Sequence, residues 1–400
     1  VRNGALFLPE IRHEFMDYID NQNLLKGIFN LHDEVIRIPE SGTRIMNCKF
    51  RSVVRPADQE VPETGDGLML HYYEGNSDFT YPVFMPENRD RSEGAIILLH
   101  GLNERSWGKY LYWAQSLAEN TGKAVILFPI AWHVNRSPEY WADPRSMVTV
   151  AQGRSDLNNG NAFASPFNAA LSSRLDLHPE WFVTSGLQTC YDIISLTESI
   201  RSGTHPLFSE NSSVDFFAYS VGAFLLEIIL IANPDGLYSQ SKSFLFLGGS
   251  SFEQMKGISK YIMDSEAFNK LEDAFIHQNP QEVKSKIHIP HLSHFNILWS
   301  SFITMLRMDR FQTIRDRSFS RLSTQISAIG LARDTVIPGK SILKTLWGAG
   351  NRNRIPVSIL DFPYPYQHEN PFPMNQPQIR LAVNHSFTHV FTQASRFLVG

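Results

Sequence analysis

Six apolar runs of strand length recur through the middle and end of the chain, with a longer segment between each pair. The runs are AIILL (95–99), AVILF (124–128), VDFFAY (214–219), SFLFL (243–247), ISAIGL (326–331) and PVSILDF (356–362). They are rich in β-branched and aromatic residues and read as buried strands. Helix-like segments lie among them: WGKYLYWAQSLAEN (107–120), TSGLQTCYDIISLTESIRS (184–202), VGAFLLEIILIAN (221–233) and VNHSFTHVFTQASRFL (383–398). Parallel strands need a crossover rather than a tight turn, and an intervening helix supplies one. The alternation therefore predicts an α/β fold, a mostly parallel sheet with helices on both faces. The 221–233 segment is apolar nearly all round, which suits a helix over the middle of such a sheet, and Pro234 should end it.

Three regions break the rhythm. Residues 1–93 form an N-terminal extension whose β-like pieces, CKFRSVV, LMLHYY and TYPVFM, are expected to feed edge strands into the sheet. Residues 131–183 are a long excursion rich in proline, asparagine and serine, and 250–324 read as a helical cap inserted between two core strands. The core is then 94–249 with 325–400. Long excursions beside a sheet are commonly functional lids.

Charge and cysteine content narrow the function classes. A net charge of -4, with no lysine or arginine run, gives no field for nucleic acid. Two cysteines, Cys48 and Cys190, provide neither a disulfide framework nor a cysteine-based zinc motif. No apolar run reaches the roughly 18 residues of a membrane span. The chain starts at Val1 rather than methionine, so a processed secretory signal stays open beside the default expectation of a cytoplasmic protein.

In AYSVGAF, Ser220 stands between an apolar strand run and an apolar helix, with Ala218 two before it and Gly222 two after. Small residues at those places let a sharp strand-to-helix turn display a nucleophilic hydroxyl, and the helix aims its N-terminal amides at the reaction centre. In LLHGLNERSW, His100 and Gly101 follow a strand, and the amide of Leu102 is placed to join that of Val221 in holding an oxyanion. His100 itself reads as a structural residue shaping the loop. In SAIGLARDTVIP, Asp334 follows a strand, where it can orient a histidine or simply make an Asx turn. His368 lies in a proline-rich loop after the last strand run, where chain order Ser, Asp, His puts the base. His385 is the alternative base. It shares one face of the terminal helix with His389, where capping or packing is the expectation.

This set resembles the α/β-hydrolase superfamily over roughly 94–400, the inserts excepted, and looks like a bacterial branch of it. The resemblance rests on LLHGLN, AYSVGAF, ARDTVIP and a histidine after the last strand, with one departure, Ala218 in place of the first elbow glycine. It implies a Ser220, His368, Asp334 triad, an oxyanion hole at Leu102 and Val221, no cofactor, and hydrolysis of a small-molecule carboxylic ester or related acyl bond. A non-catalytic ligand-binding member of the fold and an acyltransferase with the same triad are the rival readings.

Other features carry less. Asn103, Glu104 and Arg105, with His133 and Arg136 after the 124–128 strand, sit where open α/β sheets bind ligands; solvated or salt-bridged loops are the bland alternative. His288, His291 and His294 in HIPHLSH have a spacing open to zinc, but Pro290 breaks a regular helix and no acidic or cysteine partner is near in sequence. PGKS (338–341) lacks the leading glycine of a phosphate loop, since position 334 is Asp334. The aromatic residues Phe268, Phe275, Phe295, Trp299, Phe302 and Phe311 suit the insert's own core or an acyl pocket.

Overall fold

The computed structural model describes residues 17–54, 73–157, 161–287 and 292–400. The strands are β1 Val35–Arg37, β2 Thr43–Arg51, β3 Asp78–Pro86, β4 Ser92–Leu99, β5 Ala124–Phe128, β6 Phe208–Tyr219, β7 Ser243–Phe246, β8 Ile326–Leu331 and β9 Val357–Leu360. Among the described residues they form one sheet in the order β1-β2-β3-β5-β4-β6-β7-β8-β9. The pairs β1/β2, β2/β3 and β3/β5 are antiparallel, and every pair from β5/β4 to β8/β9 is parallel. This is the α/β-hydrolase fold, with antiparallel strands added at the N-terminal edge.

Strand periodicity divides the core in two. Alternate side chains of a strand point to opposite faces. Ala95, Ile97, Leu99, Ala124, Ile126, Phe128, Phe216 and Ala218 pack on one face, with the Glu180–Arg201 and Val221–Ala232 helices. Ile96, Leu98, Val125, Leu127, Phe217 and Tyr219 pack on the other, with the helices Tyr18–Ile28, Leu111–Thr121 and Arg380–Val399. Because both faces are covered, the central strands are apolar at nearly every position. The Val221–Ala232 helix ends in Asn233 in the left-handed region, followed by Pro234, which cannot continue it.

Several expectations need adjusting. β6 begins at Phe208, earlier than the apolar run that marks it, and β1 was not anticipated. CKFRSVV overlaps only the end of β2, and LMLHYY lies outside the described residues except for Tyr73. The 131–183 excursion is more helical than its composition suggests, containing Glu139–Ala142, Val148–Leu157 and Ala169–Leu177. Between β7 and β8 run the helices Ser265–Glu272, Pro280–Ser285, Phe295–Leu306 and Gln312–Arg321. Of the aromatic residues there, Phe268, Phe275, Trp299 and Phe302 are buried and Phe311 is exposed.

The two excursions are fastened together. Arg154 reaches Asp264 with Nε to Oδ2 at 2.5 Å and Nη2 to Oδ1 at 2.8 Å, and the same carboxylate caps the Ser265–Glu272 helix by accepting from the Ala267 amide at 3.1 Å. Among the described residues, no helix is long and apolar enough to cross a membrane.

Candidate active site

Ser220 joins β6 to the Val221–Ala232 helix with φ 57° and ψ −124°. Positive φ is unfavourable for a residue with a Cβ and persists only where the surroundings impose it. Here the Ser220 amide donates to the Phe246 carbonyl of β7 at 3.2 Å, and its own carbonyl accepts from Ala223 at 2.9 Å. The helix start lies close to the end of β4, so that a methyl group on Gly222 would come within 2.7 Å of the main-chain oxygens of Leu99 and His100. A methyl on Gly248, just after β7, would collide with Ala223 Cβ. Ala218 is fully buried between Leu99 and Leu245, so the departure from glycine there is accommodated.

Three side chains from three strand ends meet at this turn. Ser220 Oγ lies 2.7 Å from His368 Nε2, and His368 Nδ1 lies 2.7 Å from Asp334 Oδ2. The other oxygen of Asp334 accepts from the amides of Val336 at 2.8 Å and Ile337 at 3.0 Å, which fixes the carboxylate and turns Oδ2 toward the imidazole. With Nδ1–H donated to Asp334, Nε2 is left as the acceptor for the serine hydroxyl. Tyr219 stacks on the His368 ring at 5.6 Å between centroids and donates its hydroxyl to the His368 carbonyl. All three side chains are buried or nearly so, with Ser220 6% exposed. His385 and His389 are exposed on the terminal helix.

The loop after β4 supplies main-chain donors. The Gly101 amide is taken by Tyr110 Oη at 3.1 Å, whereas the amides of Leu102 and Val221 have no partner among the described residues. His100 is structural: Nδ1 donates to the Gly101 carbonyl at 2.8 Å, Nε2 accepts from the Ile130 amide at 3.0 Å, and burial pushes its pKa down to about 4.

Two spaces meet at Leu102. One is an apolar cavity of about 50 Å³ between the Val221–Ala232 and Glu180–Arg201 helices, walled by Leu102, Val221, Phe224, Leu225, Phe182 and Phe302, with His133 also lining it. The other is a polar cleft of about 610 Å³ lined by Asn103, Glu104, Arg105, Lys109, Tyr261 and by Gln367 and Glu369, the residues flanking His368.

The residues expected to touch substrate divide accordingly. Asn103 lines the cleft, its amide donating to the carbonyls of Phe167 at 2.9 Å and Tyr261 at 2.7 Å. Arg105 lines it too, stacked over Phe167 at 4.8 Å. Arg136 does not reach either space. It is fully buried, pairing with Asp192 at 2.9 Å and donating to the carbonyls of Asn76 and Pro129, so it holds the loop after β5 to the Glu180–Arg201 helix. His294 stands at the N-cap position of the Phe295–Leu306 helix without a capping bond from its side chain and pairs with Asp235 at 3.1 Å, while His288 and His291 lie outside the described residues. Among the described residues no group of three metal-ligating side chains occurs. Sequence reading gave Tyr219 no role and Gly248 only that of turning the chain after its strand. The first is the residue before the serine, and the second opens the glycine pair after β7.

A family model matches residues 16–399, nearly the whole chain. The chain belongs to DUF6051, a family of unknown function. No curated protein matches this DUF6051 member. Solved structures similar to it include carboxyl esterase 2 from the mycorrhizal fungus Tuber melanosporum, at 10% identity and TM-score 0.45 over 94% of this chain and 97% of that one. An esterase from Pyrobaculum calidifontis matches at 12% identity and TM-score 0.42 over 94% and 90%. A cold-adapted esterase from an Arctic intertidal metagenomic library matches at 10% identity and TM-score 0.41 over 92% and 100%.

Proposed function

We propose that this chain is a serine hydrolase that cleaves a carboxylic ester or related acyl bond through an acyl-enzyme on Ser220. The observation that carries the reading is the unbroken pair of 2.7 Å hydrogen bonds from a serine at positive φ through His368 to Asp334. His368 Nε2 takes the hydroxyl proton as Oγ attacks the carbonyl carbon, and returns it to the leaving alkoxide as the acyl-enzyme forms. Water, deprotonated by the same nitrogen, then releases the acid. Asp334 holds the imidazole in the tautomer that accepts from Ser220 and stabilises the imidazolium.

The amides of Val221 and Leu102 are assigned to the oxyanion, a contribution of about 3–4 kcal/mol per good donor. The apolar cavity beyond them takes the acyl group, and the polar cleft beside His368 takes the alcohol portion. A small-molecule ester with a polar alcohol side fits this division. No step in this scheme calls on a cofactor.

The test is ester hydrolysis by wild type and three variants. Ser220→Ala and His368→Ala should fall to background, and Asp334→Asn should lose on the order of 10⁴-fold in kcat while remaining folded by circular dichroism. A near-normal rate in either of the first two would reject the scheme. Adding a competing alcohol to the assay separates hydrolysis from acyl transfer by the product formed.

A further inference from the structure

His133 is the polar feature of the acyl cavity that the scheme above leaves unused. It is 6% exposed and lines the cavity together with Leu102 and Val221. Its Nδ1 donates to the Ala131 carbonyl at 3.0 Å, so a neutral ring presents Nε2 as a lone pair. Nε2 is buried and has no hydrogen-bond partner among the described residues. Burial, with His100 close by, pushes the pKa down to about 3, so the ring stays neutral at physiological pH.

The backbone on both sides of this ring is held in unfavourable geometry. Trp132 and Val134, on either side, have φ of 64° and 51°, and positive φ in a β-branched residue is a genuine outlier. Of the other side chains there with a polar atom, Cys190 and Ser185, the serine already donates its hydroxyl to the Phe182 carbonyl at 3.1 Å. The rest of the wall is mainly hydrocarbon and aromatic, so a plain alkyl acyl group would leave the Nε2 lone pair buried without a donor. The cavity, at about 50 Å³, has room for only a few non-hydrogen atoms, since one water occupies roughly 10–15 Å³ by this measure.

We propose that the acyl cavity selects a short hydroxyacyl group, whose hydroxyl donates to His133 Nε2. This rests on the serine-hydrolase reading. His133 is then a specificity-determining residue, and it takes no part in proton transfer with Ser220.

The experiment is to measure kcat/KM by pH-stat for methyl butyrate, methyl 2-hydroxybutyrate and methyl 3-hydroxybutyrate, in wild type, His133→Leu and His133→Gln. The readout is the ratio between hydroxylated and plain esters within each protein, which cancels any loss of folded enzyme. Wild type should prefer at least one hydroxyester by about tenfold or more, as expected where a buried acceptor is otherwise left unpaired. Leucine should collapse that ratio toward the one set by the esters' intrinsic reactivity. Glutamine, which keeps an acceptor oxygen, should retain part of it. Equal ratios in wild type and His133→Leu would overturn the inference. If none of the three esters turns over but Ser220 still reacts with a fluorophosphonate, this inference fails and the hydrolase reading stands. If Ser220 does not react either, both fail.

Discussion

Gly222 shows how tightly the serine turn is determined by a single residue. The obstacles to a methyl group there are main-chain oxygens of Leu99 and His100, which cannot swing aside as a side chain can. Gly222→Ala should therefore destabilise the fold by about 1–3 kcal/mol, the usual cost of overpacking, and should displace Ser220 from His368. Urea denaturation with an ester assay on the folded variant checks both; full stability and activity would mean that the turn tolerates what the contacts forbid. That Ser220, His368 and Asp334 come together was legible in the sequence, because each follows a strand run and their order along the chain singles out His368 from the other histidines. Arg136 proves to be the salt-bridged alternative rather than a substrate contact, and its partner could not be named for a related reason. Its position after β5 is visible in the sequence, but its partner Asp192 lies in the middle of a helix, and nothing local reveals that the two meet at 2.9 Å.

At the scale of elements, the helix behind the nucleophile carries an unusual burden. Glu227 is fully buried there, and neither carboxylate oxygen has a partner among the described residues. Burial drives its pKa well above the ordinary 4.5, only partly countered by Arg315 of the Gln312–Arg321 helix. In the folded protein the carboxyl thus stays protonated at pH values where the unfolded chain ionises. Stability linked to this group is fully present below about pH 4.5 and is lost as pH rises through the folded pKa. Glu227→Gln removes that titration, so it should raise the urea midpoint relative to wild type at pH 7, with the advantage shrinking toward pH 4. A constant difference across that range would show that Glu227 is ionised in the fold. Elements of this kind are readable because a helix apolar all round has one place to go. β1 was not readable, since three residues supply too little alternation, and it exists only because β2 offers an edge to pair with.

For the whole molecule, the decisive feature is that two excursions, which leave the carboxyl ends of β5 and β7, hold each other. Sequence composition marks both as interruptions but cannot show their union, to which Arg154 and Asp264, 110 residues apart in the chain, contribute a buried ion pair. The Asp264 side chain is fully buried, so Asp264→Ala removes a helix cap and the closer of the two carboxylates on a nearly buried guanidinium, leaving Arg154 only Asp176 at 3.3 Å. A loss of roughly 3–5 kcal/mol is expected, as for other broken buried pairs, read as a fall in the urea midpoint. A change below about 1 kcal/mol, typical of exposed pairs, would mean that packing and the other hydrogen bonds between the excursions, such as the Ser265 amide to the Ala162 carbonyl at 3.0 Å, hold them without this pair.

The central claim is that Ser220 is an activated nucleophile, and intact mass after exposure to a fluorophosphonate tests it most directly. Wild type should gain the mass of a single phosphonyl adduct, and Ser220→Ala should gain none. A folded wild-type protein that stays unlabelled, or a Ser220→Ala variant that labels equally, would contradict it.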